Sequence, residues 1–266
     1  MKKFGKRLYL GLCFLFLYAP IAVLIVFSFN QSKNRATFTG FSFKWYKALF
    51  QNELIMHSLW NTLLVAILAS VIATLLGTIA AVGISGMRKR MRSVMMNVTY
   101  LPVINPEIIT GISTMLLFVY LKEILHLELG FLTVLIAHIT FCLPYVILNV
   151  LPKLKQMDAS LYEAALDLGC NPVQAFMKVI LPEIMPGIAS GFLMSFTFSL
   201  DDFIITYFTS GSSFQTLPVT IYSMTRMKIN PQINALSTLM FLFVLTLLLL
   251  MNIRKRPRHS VTRRRA

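Results

Sequence analysis

Long apolar runs alternate along this chain with short polar stretches marked by Pro and Gly. A helix that crosses a bilayer needs about 20 mostly apolar residues. Six segments meet that length: Leu8–Phe29, Leu59–Ile84, Val94–Leu121, Leu129–Leu151, Ile184–Phe208 and Ile233–Ile253. The pattern predicts an all-α integral membrane protein with about six transmembrane helices. The first run follows Lys2, Lys3, Lys6 and Arg7, as a leader would. Its apolar length exceeds the 7–15 residues of a signal peptide, and no small-x-small site follows, so it is read as a retained span.

Composition agrees with the spans. The 266 residues are 56% hydrophobic and 13% charged, against about 45–50% and about 25% in a soluble domain. The net charge of +15 raises the question of nucleic acid. A nucleic-acid protein would interleave basic and other polar residues on one face. Here the basic residues sit in clusters between apolar runs, so no nucleic-acid partner is expected. They set orientation instead. With the N-terminus in the cytoplasm, 18 of the 25 Lys and Arg fall on the cytoplasmic side, and both termini lie there. Arg88, Lys89, Arg90 and Arg92, then Lys153, Lys155 and Lys178, then seven in the tail from Arg254 to Arg265 make up most of that bias. The outer side holds Lys33, Arg35, Lys44, Lys47, Lys122, Arg226 and Lys228. Such charge also favours contact with anionic membrane lipid. Three stretches result: 1–56, with a cytoplasmic start, the first span and an external loop; 57–253, the main transmembrane domain; and 254–266, a basic tail.

The longest cytoplasmic connection between spans is Leu151–Glu183. Ser160 and Glu163 have the spacing of a capping box. Leu161, Ala165 and Leu168 then share one helical face. Gly169 suits a left-handed helix end. Asn171 caps a second helix with Pro172 at its first position and Gln174 at its third. Val173, Phe176, Met177 and Ile180 form its apolar stripe. Leu181-Pro182 is expected to end it, and Pro186-Gly187 to open the fifth span. Physically, the segment is either an amphipathic pair on the membrane surface or a docking element for a cytoplasmic partner.

The stretch Glu163-Ala164-Ala165, then Gly169, then Ile180-Leu181-Pro182, resembles the EAA motif of ABC importer permeases, although the family's Ile-x-Leu-Pro spacing is not kept. The motif lies between the fourth and fifth of six spans, as in that family. The resemblance implies a type I ABC importer permease fold in a bacterial inner membrane, with a cytoplasmic coupling helix between spans four and five. It implies that loop 160–182 seats in a cytoplasmic ATPase dimer through Leu161, Glu163, Ala164, Ala165, Leu168 and Gly169. It also implies a second, homologous permease subunit and an external binding protein. No G-x-x-x-x-G-K-[ST] loop occurs in the chain, so ATP and Mg²⁺ would sit on the partner. Tyr18–Ile21, Val26–Asn30, Phe43–Tyr46 and Ser199–Phe203 are similar to the second permease subunit of spermidine/putrescine importers. That branch implies a periplasmic polyamine-binding protein.

Acids inside spans are costly and default to functional candidates. Asp201 and Asp202 fall late in the fifth run, and Glu107 falls in the third. The Asp pair either lines a path or is interfacial, if the span ends earlier. Glu107 either favours the dipole at the start of a helix opened by Asn105-Pro106, or lines a cavity at a span broken by Pro102 and Pro106. A path lined by acids and aromatics suits polyamines. Asp201, Asp202, Glu107, Ser199, Trp45 and Tyr100 are its candidates, with Tyr207 and Tyr222 as further rings; Trp45 and Tyr46 also suit interfacial anchoring. Cys13, Cys142 and Cys170 and the four His are scattered, so neither metal nor redox chemistry is expected. No acid/base or nucleophile constellation marks an enzyme. The rival readings are the same machine with another organic cation, or a gradient-driven secondary transporter. The latter would want matched repeats, and none is found.

Overall fold

The computed structural model describes residues 2–32, 37–126, 128–158, 160–227 and 231–254. Lys33, Arg35, Lys228 and the basic tail from Lys255 onward lie outside the described residues. Among those described, the chain is helical throughout, and the one extended pairing is an isolated bridge between Asn30 and Phe41.

Helix α1 spans Lys2–Ser28, α2 Lys44–Phe50, α3 Glu53–Ser85, α4 Lys89–Ile104, α5 Glu107–Leu125 and α6 Phe131–Gln156. Then come α7 at Ser160–Asp167, α8 at Pro172–Ala175, a π-turn at Phe176–Ile180, and α9 at Leu181–Asp201. Helices α10 (Ile204–Thr209), α11 (Leu217–Met227) and α12 (Gln232–Arg254) complete the described chain. Among the described residues, four helical stretches are long and apolar enough to cross a membrane, or five if the bent pair α4–α5 counts as one span. The sixth predicted run is α12, whose described apolar part is Gln232–Thr246.

Two compact units form. One contains residues 1–56 and 223–266. In it α1 and α2 both pack on α12. Trp45 is buried, and its indole N–H donates to the Asn30 carbonyl at 2.6 Å. The Asn30 side chain in turn accepts the Thr39 N–H and donates to the Thr37 carbonyl. Phe29, Phe41, Phe43 and Tyr46 stack around this turn.

The other unit is 57–222. Helix α6 is its centre, buried along Val134, Ala137, Phe141, Val146 and Val150. It packs on α9 most extensively, and also on α4 and α10. Small residues allow the closest approach. A Cβ on Gly187 would lie 2.9 Å from the Asn149 carbonyl, and one on Gly191 would lie 3.1 Å from Val146 Cα. From the other side, a Cβ on Gly77 of α3 would lie 2.7 Å from Val146 Cβ. Gly187 and Gly191 have the four-residue spacing typical of close helix pairs in lipid.

Four expectations are corrected. Span three breaks once, at Asn105-Pro106, where α4 and α5 meet at 101°. Pro102 lies inside α4, and Asn105 ends α4 and does not cap α5. Second, Leu181-Pro182 does not stop the loop's second helix, and Pro186 lies inside α9. Pro172–Asp201 is one helix of 30 residues, continuous through the π-turn. There the Leu181 N–H bonds back to the Phe176 carbonyl. A widened turn is one way a helix admits a proline without ending. Third, the fifth span does not run to Phe208: α9 ends at Asp201 and α10 restarts at Ile204.

The fourth correction concerns the start of α7. Ser160 is already helical, and Asp158 holds the turn: its Oδ1 accepts the Ser160 N–H at 3.0 Å. That bond holds the Asp158 carboxyl below its ordinary range. A depressed folded-state value stabilises above the unfolded one and loses its contribution as pH falls through the folded one. Asp158→Ala should therefore speed hydrogen exchange at the Ser160 and Leu161 amides at neutral pH, while Asp158→Asn should not. The difference between wild type and Asp158→Ala should shrink as pH falls through the depressed range of the Asp158 carboxyl.

Candidate functional site

Two places carry the candidate chemistry, both in the unit 57–222. The first is the break after α9. The break separates the Asp pair: Asp201, the last residue of α9, is exposed, whereas Asp202, already outside the helix, is 8% exposed. A helix start leaves backbone N–H groups without partners. Asp202 supplies them for α10. Its Oδ2 accepts the Thr206 N–H at 2.8 Å, and its Oδ1 accepts the Ile205 N–H at 3.3 Å. The Thr206 hydroxyl also donates to Oδ2, at 2.8 Å.

His138 of α6 closes this network. It is buried, with Nε2 2.9 Å from Thr206 Oγ1 and 3.3 Å from Asp202 Oδ2. Thr206 commits its proton to Asp202, so Nε2 is the donating nitrogen of the ring. Nδ1 lies 2.7 Å from Ser199 Oγ on α9. Ser199, Asp202 and Thr206 thus meet on one imidazole. His138 and Thr206 were missed in the sequence. The available signal was an ionisable residue inside the fourth predicted span; its partners stand 61 and 68 residues away.

The remaining path candidates divide. Glu107 is the exposed first residue of α5, and with Asp202 it is a charge that bears on Asp201. Phe203, which follows the Asp pair in the chain, clusters with Tyr207 and Tyr222, with ring centroids 4.7 Å apart for Phe203–Tyr222 and 5.4 Å for Phe203–Tyr207. Helix α5 approaches α10 closely, since a Cβ on Gly111 would meet Phe208 at 3.0 Å. Tyr100 is exposed on α4. Trp45 belongs to the other unit, where its indole is occupied by Asn30.

The second place is the loop from α7 to α8. Gly169 has φ +86, and the turn is a full Schellman motif. The Cys170 N–H donates to the Ala165 carbonyl at 3.1 Å, and the Gly169 N–H to that of Leu166 at 2.9 Å. Asn171 and Gln174 form the expected capping box. Helix α7 packs on α8 and the π-turn, and Ala165 is its buried residue. Leu161 and Leu168 do not share that burial. Leu168 is 86% exposed, because α7 ends at Asp167 and Leu168 already belongs to the turn. Glu163 and Ala164 are also exposed, as are Leu161, Val173 and Met177. The loop thus carries a rigid turn with apolar side chains pointing away from its own chain.

No group of three or more His, Cys, Asp or Glu among the described residues has the geometry to hold a metal ion.

Residues 73–256 match the family described as binding-protein-dependent transport system inner membrane component. The chain is 34% identical over 247 residues to the spermidine/putrescine transport system permease protein PotC of Haemophilus influenzae, covering 93% of this chain and 95% of that protein. It is 42% identical over 229 residues to the putrescine transport system permease protein PotI of Escherichia coli strain K12, covering 85% and 82%. A crystal structure of a bacterial ABC transporter involved in import of the acidic polysaccharide alginate superposes with a TM-score of 0.72, over 96% of each chain and at 18% identity, a likeness of fold. By the match of its residues 73–256, and by its identity to permeases along nearly their whole length, this chain belongs to the family of binding-protein-dependent transport system inner membrane components.

Proposed function

We propose that the chain is a permease subunit of an ATP-driven polyamine importer, with putrescine or spermidine as cargo. The observation that carries this reading is similarity along most of the length of PotC and PotI, whose names share putrescine. The chain itself is a membrane component and not an enzyme. In this reading it crosses the inner membrane six times with both termini in the cytoplasm. It pairs with a second permease, receives cargo from a periplasmic polyamine-binding protein, and draws work from an ATPase dimer that carries ATP and Mg²⁺. The exposed apolar side chains on the capped α7–α8 turn support docking of the ATPase there, by a helix seated in a groove.

Cargo passes the α9–α10 break. Asp201, with Glu107 near enough to act on it, attracts an ammonium. Phe203, Tyr207 and Tyr222 offer ring faces to the same cation. Tyr100, exposed on α4, is a further candidate, whereas the bond of buried Ser199 to His138 and the occupied indole of Trp45 favour holding and anchoring roles.

The test is uptake of radiolabelled putrescine and spermidine in cells that lack this subunit and then regain it. Uptake should vanish and return. Uptake that survives deletion, with no duplicate subunit present, would defeat the proposal. Asp201→Asn should lower restored uptake by about tenfold, the factor expected when a charged hydrogen-bond partner is made neutral. Equal amounts of membrane-inserted protein, judged by immunoblot, make that comparison valid.

A further inference from the structure

We propose that His138 is a positioning residue that staples the break between α9 and α10, and so sets the direction in which Asp201 and Phe203 face the path. The inference rests on the polyamine-permease reading for its transport readout, but its geometry stands apart from it. Asp202 and Phe203 are the only residues between the last residue of α9 and the first of α10. A two-residue joint in a membrane helix leaves backbone groups unpaired and is free to swivel unless side chains hold it. Asp202 holds one half, by capping α10 from within the joint.

The other half needs a tie from α10 back to α9, and His138 is placed to supply it. Its Nδ1 faces Ser199 near the end of α9, and its Nε2 faces Thr206 in α10 and Asp202 in the joint. The ring comes from a third helix, α6, which is packed along α9 through Gly187 and Gly191. All four members are buried, at 8% exposure or less. A buried network of this kind is worth little when half satisfied and rigid when complete. Here each ring nitrogen has a partner, and the partners lie on opposite sides of the break. The flanking residues Asp201 and Phe203 take no part in the network described; they point where the joint lets them point.

Replacement of one end at a time tests the staple. His138→Gln can keep an amide near Thr206 and Asp202 and loses Ser199. His138→Asn can keep an amide near Ser199 and loses the others. His138→Leu loses both. The first readout is putrescine uptake per assembled transporter, counted from the complex that copurifies with this chain. The second needs no cargo: the rate at which a cationic thiol reagent labels Asp201→Cys, with Cys13, Cys142 and Cys170 replaced. His138→Leu should lower uptake per complex by about tenfold and change the labelling rate. The Gln and Asn variants should each recover only part.

Wild-type uptake per complex with unaltered labelling in His138→Leu overturns the proposal. So does full recovery by His138→Gln, which would reduce the ring to a neighbour of the Asp202 cap. If His138→Leu does not assemble, the Gln and Asn variants decide, and wild-type behaviour of both overturns it. If the wild-type complex moves no polyamine, the function proposed above fails, and the labelling rates still decide for or against the staple.

Discussion

Gly187→Val should prevent accumulation of the folded protein. The new Cβ would stand 2.9 Å from the Asn149 carbonyl and 2.8 Å from Lys153 Cγ. The lysine stem can turn aside, but the carbonyl is backbone of a helix that is itself held on several sides. Helix α6 cannot retreat, because Val146, with no exposed surface, meets Gly191 on one face and Gly77 on another. Overpacking typically costs about 1–3 kcal/mol, more where backbone must move. A variant confined to one face allows a graded test. Gly187→Ala should lower the midpoint of thermal unfolding in detergent, Gly187→Val should lower it further or remove the folded species, and Met185→Val, two positions before Gly187 on an exposed site, should do neither. Wild-type stability of Gly187→Val would mean that α6 and α9 separate more easily than their packing implies.

Gly169→Val should abolish uptake while leaving the spans intact. The reason differs from that at Gly187. Nothing lies within 4 Å of a Cβ placed on Gly169, so there is no clash; the obstacle is φ +86. A β-branched residue held there costs about 1–3 kcal/mol of backbone strain. Helix α7 has eight residues and cannot absorb that; helices so short are marginal without their caps. Relief of the strain would break the bonds from Cys170 and Gly169 to Ala165 and Leu166, and would re-aim Leu168 and α8. Gly169→Asn is the control, since Asn tolerates the left-handed region. The Asn variant should retain most uptake and most copurification of the ATPase, and the Val variant neither, with equal thermal stability of the membrane part. Equal behaviour of Asn and Val would remove the turn from the docking argument.

Much of this architecture was legible in the chain, and the failures have physical causes. Apolar runs of 20 or more residues are a strong signal because lipid enforces them, so the first, second, fourth and sixth predicted runs came out near the bounds of α1, α3, α6 and α12. The Asn171 cap and the Gly169 turn were legible because each depends on neighbours within a few residues. The break at Asn105-Pro106 was legible for the same reason. The break at Asp202 was not. Ser199-Leu-Asp-Asp-Phe reads as helix interior, and the carboxylate that permits the break caps residues that follow it. The continuity through Leu181-Pro182 was also hidden, since proline near a helix end usually means a stop, and a π-turn has no composition of its own. His138 is the plainest case. A lone His among apolar residues carries no local pattern, and only the tertiary fold supplies Ser199 and Thr206.

The unbroken helix from Pro172 to Asp201 turns the loop and the acid into two ends of one lever, about 45 Å long at about 1.5 Å per residue. Motion delivered at its loop end need not pass through a chain of contacts, because the backbone itself transmits it as tilt or torque. The π-turn is the place where that lever's phase is set. Were the five residues Phe176–Ile180 to tighten to ordinary α geometry with none removed, everything before the turn would rotate by about one residue's step, about 100°, against everything after. Exposed Val173 and Met177 would then face a different direction from the same membrane span. A transporter altered in this way would keep its caps, its acid and its packing, and would have its drive shaft mis-timed.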